Sequence, residues 1–185
     1  MVKEYFDILD ENGNKTGEKK LRSEVHRDGD WHRAVHIWIV NNNGDVLLQR
    51  RSSNKDSNPN MIDISSAGHL SSGDKSIEAA LRELKEELNI DVKKEELTFI
   101  KTIKRSTRYT ETFFNNEFDD LYILRTNKKL EDMKYQEEEI SEIMYVPYKK
   151  LKEMYFNHHP DLLRRHDEDE DYIELFKIFD KEFDK

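Results

Sequence analysis

The chain has 185 residues, a length that fits one domain, and 35% of them are hydrophobic, enough for one core. A formal net charge of −9 and a pI near 5.3 leave no basic field to displace counterions, which excludes a nucleic-acid polymer as partner. With no cysteine, disulfides, thiolate zinc sites and cysteine nucleophiles are excluded together.

The first residues, MVKEYFDILD, lack the apolar stretch of a leader, and no run approaches the roughly 18 apolar residues of a membrane span. A soluble cytoplasmic protein is the expectation. Tyr5 to Leu9 alternates weakly and runs into the turn Asp10-Glu11-Asn12-Gly13, which predicts a small N-terminal hairpin. Leu21 to His26 reads as a short helical turn. Ala34 to Val40 is a strand, Asn42-Asn43-Gly44 a turn, and Asp45 to Arg50 the partner strand. Ser52 to Asn60 is a polar loop, and Met61 to Ala67 a short strand delivering Gly68.

After a tight connection at Ser71 to Lys75, the spacing predicts a helix over Ser76 to Leu88. Strands follow at Leu97–Arg105 and Glu117–Leu124, joined by Thr110 to Asn116. Ile143 to Val146 is a further short strand, and Pro147 opens a helix reaching about Phe156. His166 to Asp171 reads as a solvated acidic run. Tyr172 to Phe183 closes the sequence as an amphipathic helix with Ile173, Phe176, Ile178 and Phe179 inward. The interleaving predicts a mixed α/β fold: one domain over 1–185, with a C-terminal helical extension from about 147.

The helix at Ser76–Leu88 carries the chemistry. Ile77, Ala80, Leu81, Leu84 and Leu88 form one stripe at spacings of three and four. Glu83, Glu86 and Glu87 share an adjacent face. Like charges at i,i+4 disfavour an isolated helix by roughly 0.2–0.5 kcal/mol. Converging carboxylates become favourable around a hard cation, because Mg²⁺ and Mn²⁺ prefer oxygen ligands and bridge to phosphate oxygens.

Residues 68–90, GHLSSGDKSIEAALRELKEELNI, resemble the Nudix box of the Nudix hydrolases. That box runs Gly, five residues, Glu, seven residues, Arg-Glu, an aliphatic, any residue, Glu-Glu, any residue, Gly, an aliphatic. Gly68, Arg82, Glu83, Leu84, Glu86, Glu87 and Ile90 stand at matching positions. Asp74 replaces the first Glu, and Asn89 replaces the last Gly, where Asn tolerates the left-handed conformation of a helix C-cap. The resemblance implies a Nudix-type α/β/α sandwich with a mixed sheet, an N-terminal hairpin and a C-terminal helix. It also implies a metal site built from Gly68, Glu83, Glu86 and Glu87, with Arg82 orienting the glutamates. Glu86 and Glu117 are the candidates for the general base.

Outside the box, Trp31-His32-Arg33-Ala34, Leu47-Leu48-Gln49-Arg50-Arg51 and Ser66-Ala67-Gly68-His69 resemble the Nudix branch of type I isopentenyl-diphosphate isomerase. In those isomerases an essential cysteine stands where this chain has Ala67, and the Arg-Glu…Glu-Glu core is degraded, whereas here it is complete. His26, His32, His69 and Glu117 look like counterparts of the isomerase metal ligands, with Asn115 where a second glutamate would stand, and they form a second candidate metal site. Arg51 and Lys55 match positions that contact the diphosphate.

The reading is a Mg²⁺- or Mn²⁺-dependent hydrolase of a nucleoside or other organic diphosphate. Its alternatives are an isomerase-like protein and a nucleotide-sensing module. The expected partner is a small-molecule diphosphate, with no nucleic-acid polymer and no membrane, and a homodimer is compatible with it.

Overall fold

A computed structural model describes residues 3–55, 57–164 and 168–183. The N-terminal hairpin forms as expected from β1 (Tyr5–Leu9) and β2 (Lys15–Leu21), followed by α1 (Arg22–Asp28). β3 (Trp31–Val40) is the central strand. Along one edge it pairs antiparallel with β1, with β6 (Ser66–His69) and with β4 (Asp45–Arg51). Along the other it runs parallel to β8 (Phe113–Arg125) over its whole length. β7 (Leu97–Thr110) continues the sheet beyond β8, while β5 (Ile62–Asp63) and β9 (Ile140–Pro147) flank β4. The sheet is mixed, as predicted.

Side-chain alternation along β3 sorts the core into two layers. Val35, Ile37 and Ile39 pack with Ala79, Ala80, Leu84 and Leu88 of α2 (Ser76–Leu88). Trp38 and Val40 face the other way, onto Leu151 and Tyr155 of α3 (Tyr148–Phe156) and Tyr172, Leu175, Phe176 and Phe179 of α4 (Glu170–Phe183). Helices cover both faces, giving an α/β/α sandwich. Ile77 and Leu81 are only half-buried, and Ala79 takes a buried place in the stripe instead. Asn89 adopts the left-handed conformation at the end of α2, with φ 51° and ψ 38°.

Two expectations are corrected. The segment Thr110 to Asn116 is not a loop: β7 and β8 form one long hairpin paired from Leu97↔Leu124 to Thr110↔Phe113, with register shifts between Phe99 and Lys101 and between Arg108 and Thr110. Nor is the acidic run at the C-terminus solvated throughout. His166 lies outside the described residues, but Asp169 and Asp171 are fully buried. Arg105 of β7 donates to both, at 3.3 and 2.8 Å, and its Nε lies 3.5 Å from buried Asp119. His36 Nδ1 is 2.9 Å from Asp171, so His36 is part of this internal charge cluster and not of a surface site.

Candidate active site

The tight backbone at Gly68 positions the carboxylates. A Cβ there would lie 2.1 Å from Cδ of Glu83, so any larger residue would push that carboxylate out of its place against β6. Arg82 orients the group: its Nη1 donates to Glu83 at 2.6 Å and to Glu86 at 3.3 Å, while Nη2 donates to the carbonyl of His69 at 2.9 Å. Asp74 stands 3.5 Å from the same guanidinium. Glu87 accepts from the Ser66 hydroxyl at 2.6 Å. Glu83 and Glu87 are buried, and Glu86 is exposed.

Burial pushes the Glu83 carboxyl up to about 7 and the Glu87 carboxyl up to about 8. Two buried carboxyls with this little compensation, offering oxygen donors alone, fit a hard divalent cation. Both values lie above the ordinary 4.5, so the metal-free fold favours the protonated forms. The stability they contribute is complete below about pH 4.5 and is lost as pH rises through 7 and 8. In EDTA, the melting temperature should therefore fall between pH 5 and 9, and the fall should be shallower in Glu87→Gln. An equal slope in the two proteins would contradict the assignment.

The three histidines also come together. Side-chain nitrogens of His26, His32 and His69 all lie within 4.8 Å of one another, roofed by Phe6, whose ring stacks on His32 and His69. Nδ1–H of His26 donates to the Phe114 carbonyl and that of His32 to the Asp30 carbonyl, each at 3.1 Å. These bonds orient each ring and turn its Nε2 inward. The Nε2 atoms of all three histidines and Oδ1 of Asn115 are buried without hydrogen-bond partners.

Burial lowers His26 to about 4 and His69 to about 3, so both are neutral at pH 7. Glu117 Oε1 lies 3.0 Å from His69 Nε2 and 3.5 Å from His32 Nε2. Burial pushes the Glu117 carboxyl up, but contacts with His32 and His69 outweigh it and hold the group well below its ordinary range. His69 differs in one respect: Arg22 Nη1 sits 3.2 Å from its Nδ1, so Nδ1 accepts and Nε2 carries the proton toward Glu117. The nitrogen and carboxylate donor set suits a transition metal, on condition that His69 gives up that proton.

Register separates the two clusters. Gly68 pairs with Val35, on the α2 side of the sheet; His69 pairs with Ala34, and Glu117 with His32, on the opposite side. Glu117 thus stands with the histidines, across β6 from Glu83 and Glu87. Of the two cations expected at a diphosphate, Arg51 is engaged by Asp63 at 3.2 Å and by the Ser57 carbonyl at 3.0 and 3.2 Å. Lys55 instead pairs with Glu139, a residue that the sequence does not distinguish from neighbouring Glu137 and Glu138. Tyr109, Phe113 and Phe114 belong to the β7–β8 hairpin, and Phe113 stacks on His26. On the box side, an open cleft of about 590 Å³ borders Arg82 and Glu86, with Tyr5, Lys3 and Lys19 on its far wall.

The NUDIX domain family matches residues 30–166. Nudix hydrolase 3 of Arabidopsis thaliana is 43% identical over 183 residues, covering 96% of this chain. The chain spans only 23% of the length of that plant protein. An isopentenyl-diphosphate Delta-isomerase of Serratia proteamaculans is 28% identical over 120 residues, 65% of each chain. Among solved structures, a Deinococcus radiodurans protein superposes with a TM-score of 0.69 at 22% identity, over 94% of this chain and 99% of that one. Among the described residues, no helix is long and apolar enough to cross a membrane.

Proposed function

This chain belongs to the Nudix family, and from that premise we propose that it is a metal-dependent hydrolase of a small organic or nucleoside diphosphate, acting in the cytoplasm as one domain. The observation that carries the reading is the carboxylate pair Glu83 and Glu87, buried against Gly68 and Ser66 and pushed up by that burial. Glu83, Glu86 and Glu87, with the Gly68 carbonyl, would hold Mg²⁺ or Mn²⁺. When bound, such ions neutralise phosphate charge and lower the pKa of water.

The residues of the chain supply the rest. Arg82 fixes the rotamers of Glu83 and Glu86 and ties α2 to the His69 carbonyl, so the carboxylates are positioned before substrate arrives. Burial excludes bulk water from Glu83 and Glu87, which strengthens every electrostatic contact made there. Lys55, on the loop after β4, is the cation placed to meet a phosphate beside Glu87, and its charge favours the ionised form of that carboxyl. Phosphoryl transfer needs little beyond such positioning and charge. Water attacks phosphorus, and the bridging P–O bond breaks.

The isomerase-like frame favours a competing reading, and one residue supports the hydrolase reading over it. Isomerisation needs a proton delivered to carbon, and Ala67 offers none, although the histidine cluster stands beside it. The test incubates the protein with Mn²⁺ and isopentenyl diphosphate, UDP, ADP-ribose or dGTP, and follows products by ³¹P and ¹H NMR. Cleavage of a P–O–P linkage in at least one compound, without allylic isomer, is the expected result. Allylic isomer formed faster than any cleavage would overturn the reading.

A further inference from the structure

With Glu117 on the far side of β6, the proton released by attacking water needs another acceptor on the α2 side. Glu83 and Glu87 are buried and assigned to the cation, and Glu86 is held by Arg82. The segment before β9 offers one more carboxylate. Its backbone is stitched to the end of α2, where Gln136 N–H donates to the Glu87 carbonyl at 3.0 Å. From there Glu139 N–H returns to the Gln136 carbonyl at 2.9 Å, and Ser52 N–H donates to the Glu139 carbonyl at 2.8 Å.

These three bonds fix Glu139 between the end of α2 and the loop after β4, while Glu137 and Glu138 point to solvent. The Glu139 side chain is half-buried and its carboxylate pairs with the Lys55 ammonium. Both groups lie near enough to Glu87 to act on its charge, Lys55 favouring the carboxylate and Glu139 opposing it.

We propose that Glu139 is the general base for the attacking water, and that Lys55 covers it until a diphosphate draws Lys55 away. The inference rests on the hydrolase reading above. In the step, a water O–H bond breaks and its proton passes to a Glu139 oxygen. The water oxygen bonds to phosphorus, and the bridging P–O bond breaks with its electron pair leaving on the departing phosphate. The carboxylate that pairs with Lys55 is thereby freed to accept a proton only when a phosphate takes Lys55 in exchange.

The experiment uses the full chain and whichever of the four compounds the wild type cleaves. Glu139→Gln should lower kcat by about 10²-fold or more, the scale of general acid–base catalysis, with KM changed by less than about threefold. Its Mn²⁺-induced rise in melting temperature should match the wild type, whereas Glu87→Gln should lose that rise. Formate should restore part of the activity of Glu139→Ala, because the anion fills the space of the missing carboxylate. Lys55→Met should raise KM more than it lowers kcat, and Glu138→Gln should behave as wild type.

If the amide variant fails to fold, Glu139→Asp keeps the pairing with Lys55 and should show a smaller kcat loss with the metal response intact. A Glu139→Gln protein with wild-type kcat, or one that has lost its Mn²⁺ response, would overturn the proposal while leaving the hydrolase reading in place. That reading fails separately, if Glu87→Gln is as active as the wild type or if none of the four compounds is cleaved.

Discussion

Glu87→Gln is expected to lower kcat by about 10²-fold or more, since a lost ligand removes several kcal/mol of charge stabilisation in the transition state. The side chain is buried, accepts from Ser66 at 2.6 Å and is held near 8 by burial without a cation. An amide keeps the shape and the Ser66 contact but brings no charge, so the fold should survive while the cation is lost. Glu78→Gln sits on the same helix but is exposed, and should be silent in both rate and metal response. Steady-state rates with a titration of Mn²⁺ separate the two. Equal effects from both substitutions would mean that the functional face of α2 is misassigned.

The largest effect on stability is expected at Arg105. Its guanidinium lies among Asp119, Asp169 and Asp171, all fully buried, and ties the β7–β8 hairpin to the start of α4. Removing one partner from a buried ionic cluster commonly costs about 3–5 kcal/mol, because uncompensated charge stays behind. Arg105→Met keeps the volume and discards the charge. For a chain of this length the melting temperature should drop on the order of 10 °C. Burial already pushes Asp119 up to about 7, so protonation can relieve the defect, and the loss should be greater at pH 8 than at pH 5.5. A drop of less than about 2 °C would show that the cluster is compensated by other means.

The parts that the sequence disclosed are those whose physics is local. The α2 stripe and the glutamate face follow from a period of 3.6, and β3 from an apolar run of β-branched residues. Asn89 was readable as a C-cap for the same reason. The β7–β8 hairpin is hidden in the sequence because its outer part, residues 106–110, is polar and mostly exposed, which resembles loop composition although the backbone remains paired.

The buried state of Asp169 and Asp171 was not legible, since their cationic partners lie 64 and more residues away and an acidic run is usually solvated. The histidine cluster was reached through the isomerase resemblance and not through spacing. What the resemblance did not supply was the separation of that cluster from the box by the two faces of β6. Glu139 gives no signal at all: three consecutive glutamates look alike until the Gln136 N–H, bonded to the Glu87 carbonyl, and the Glu139 N–H, bonded to Gln136, set one of them beside the site.

The most direct test of the account is phosphate release by metal-free protein, with coupled phosphatase where the product is a monoester, before and after adding Mn²⁺ or Mg²⁺. The account predicts no turnover of any of the four compounds in EDTA and turnover of at least one when the cation is restored. Full activity in chelator would contradict it, because without a cation Glu83, Glu86 and Glu87 offer a diphosphate no positive charge.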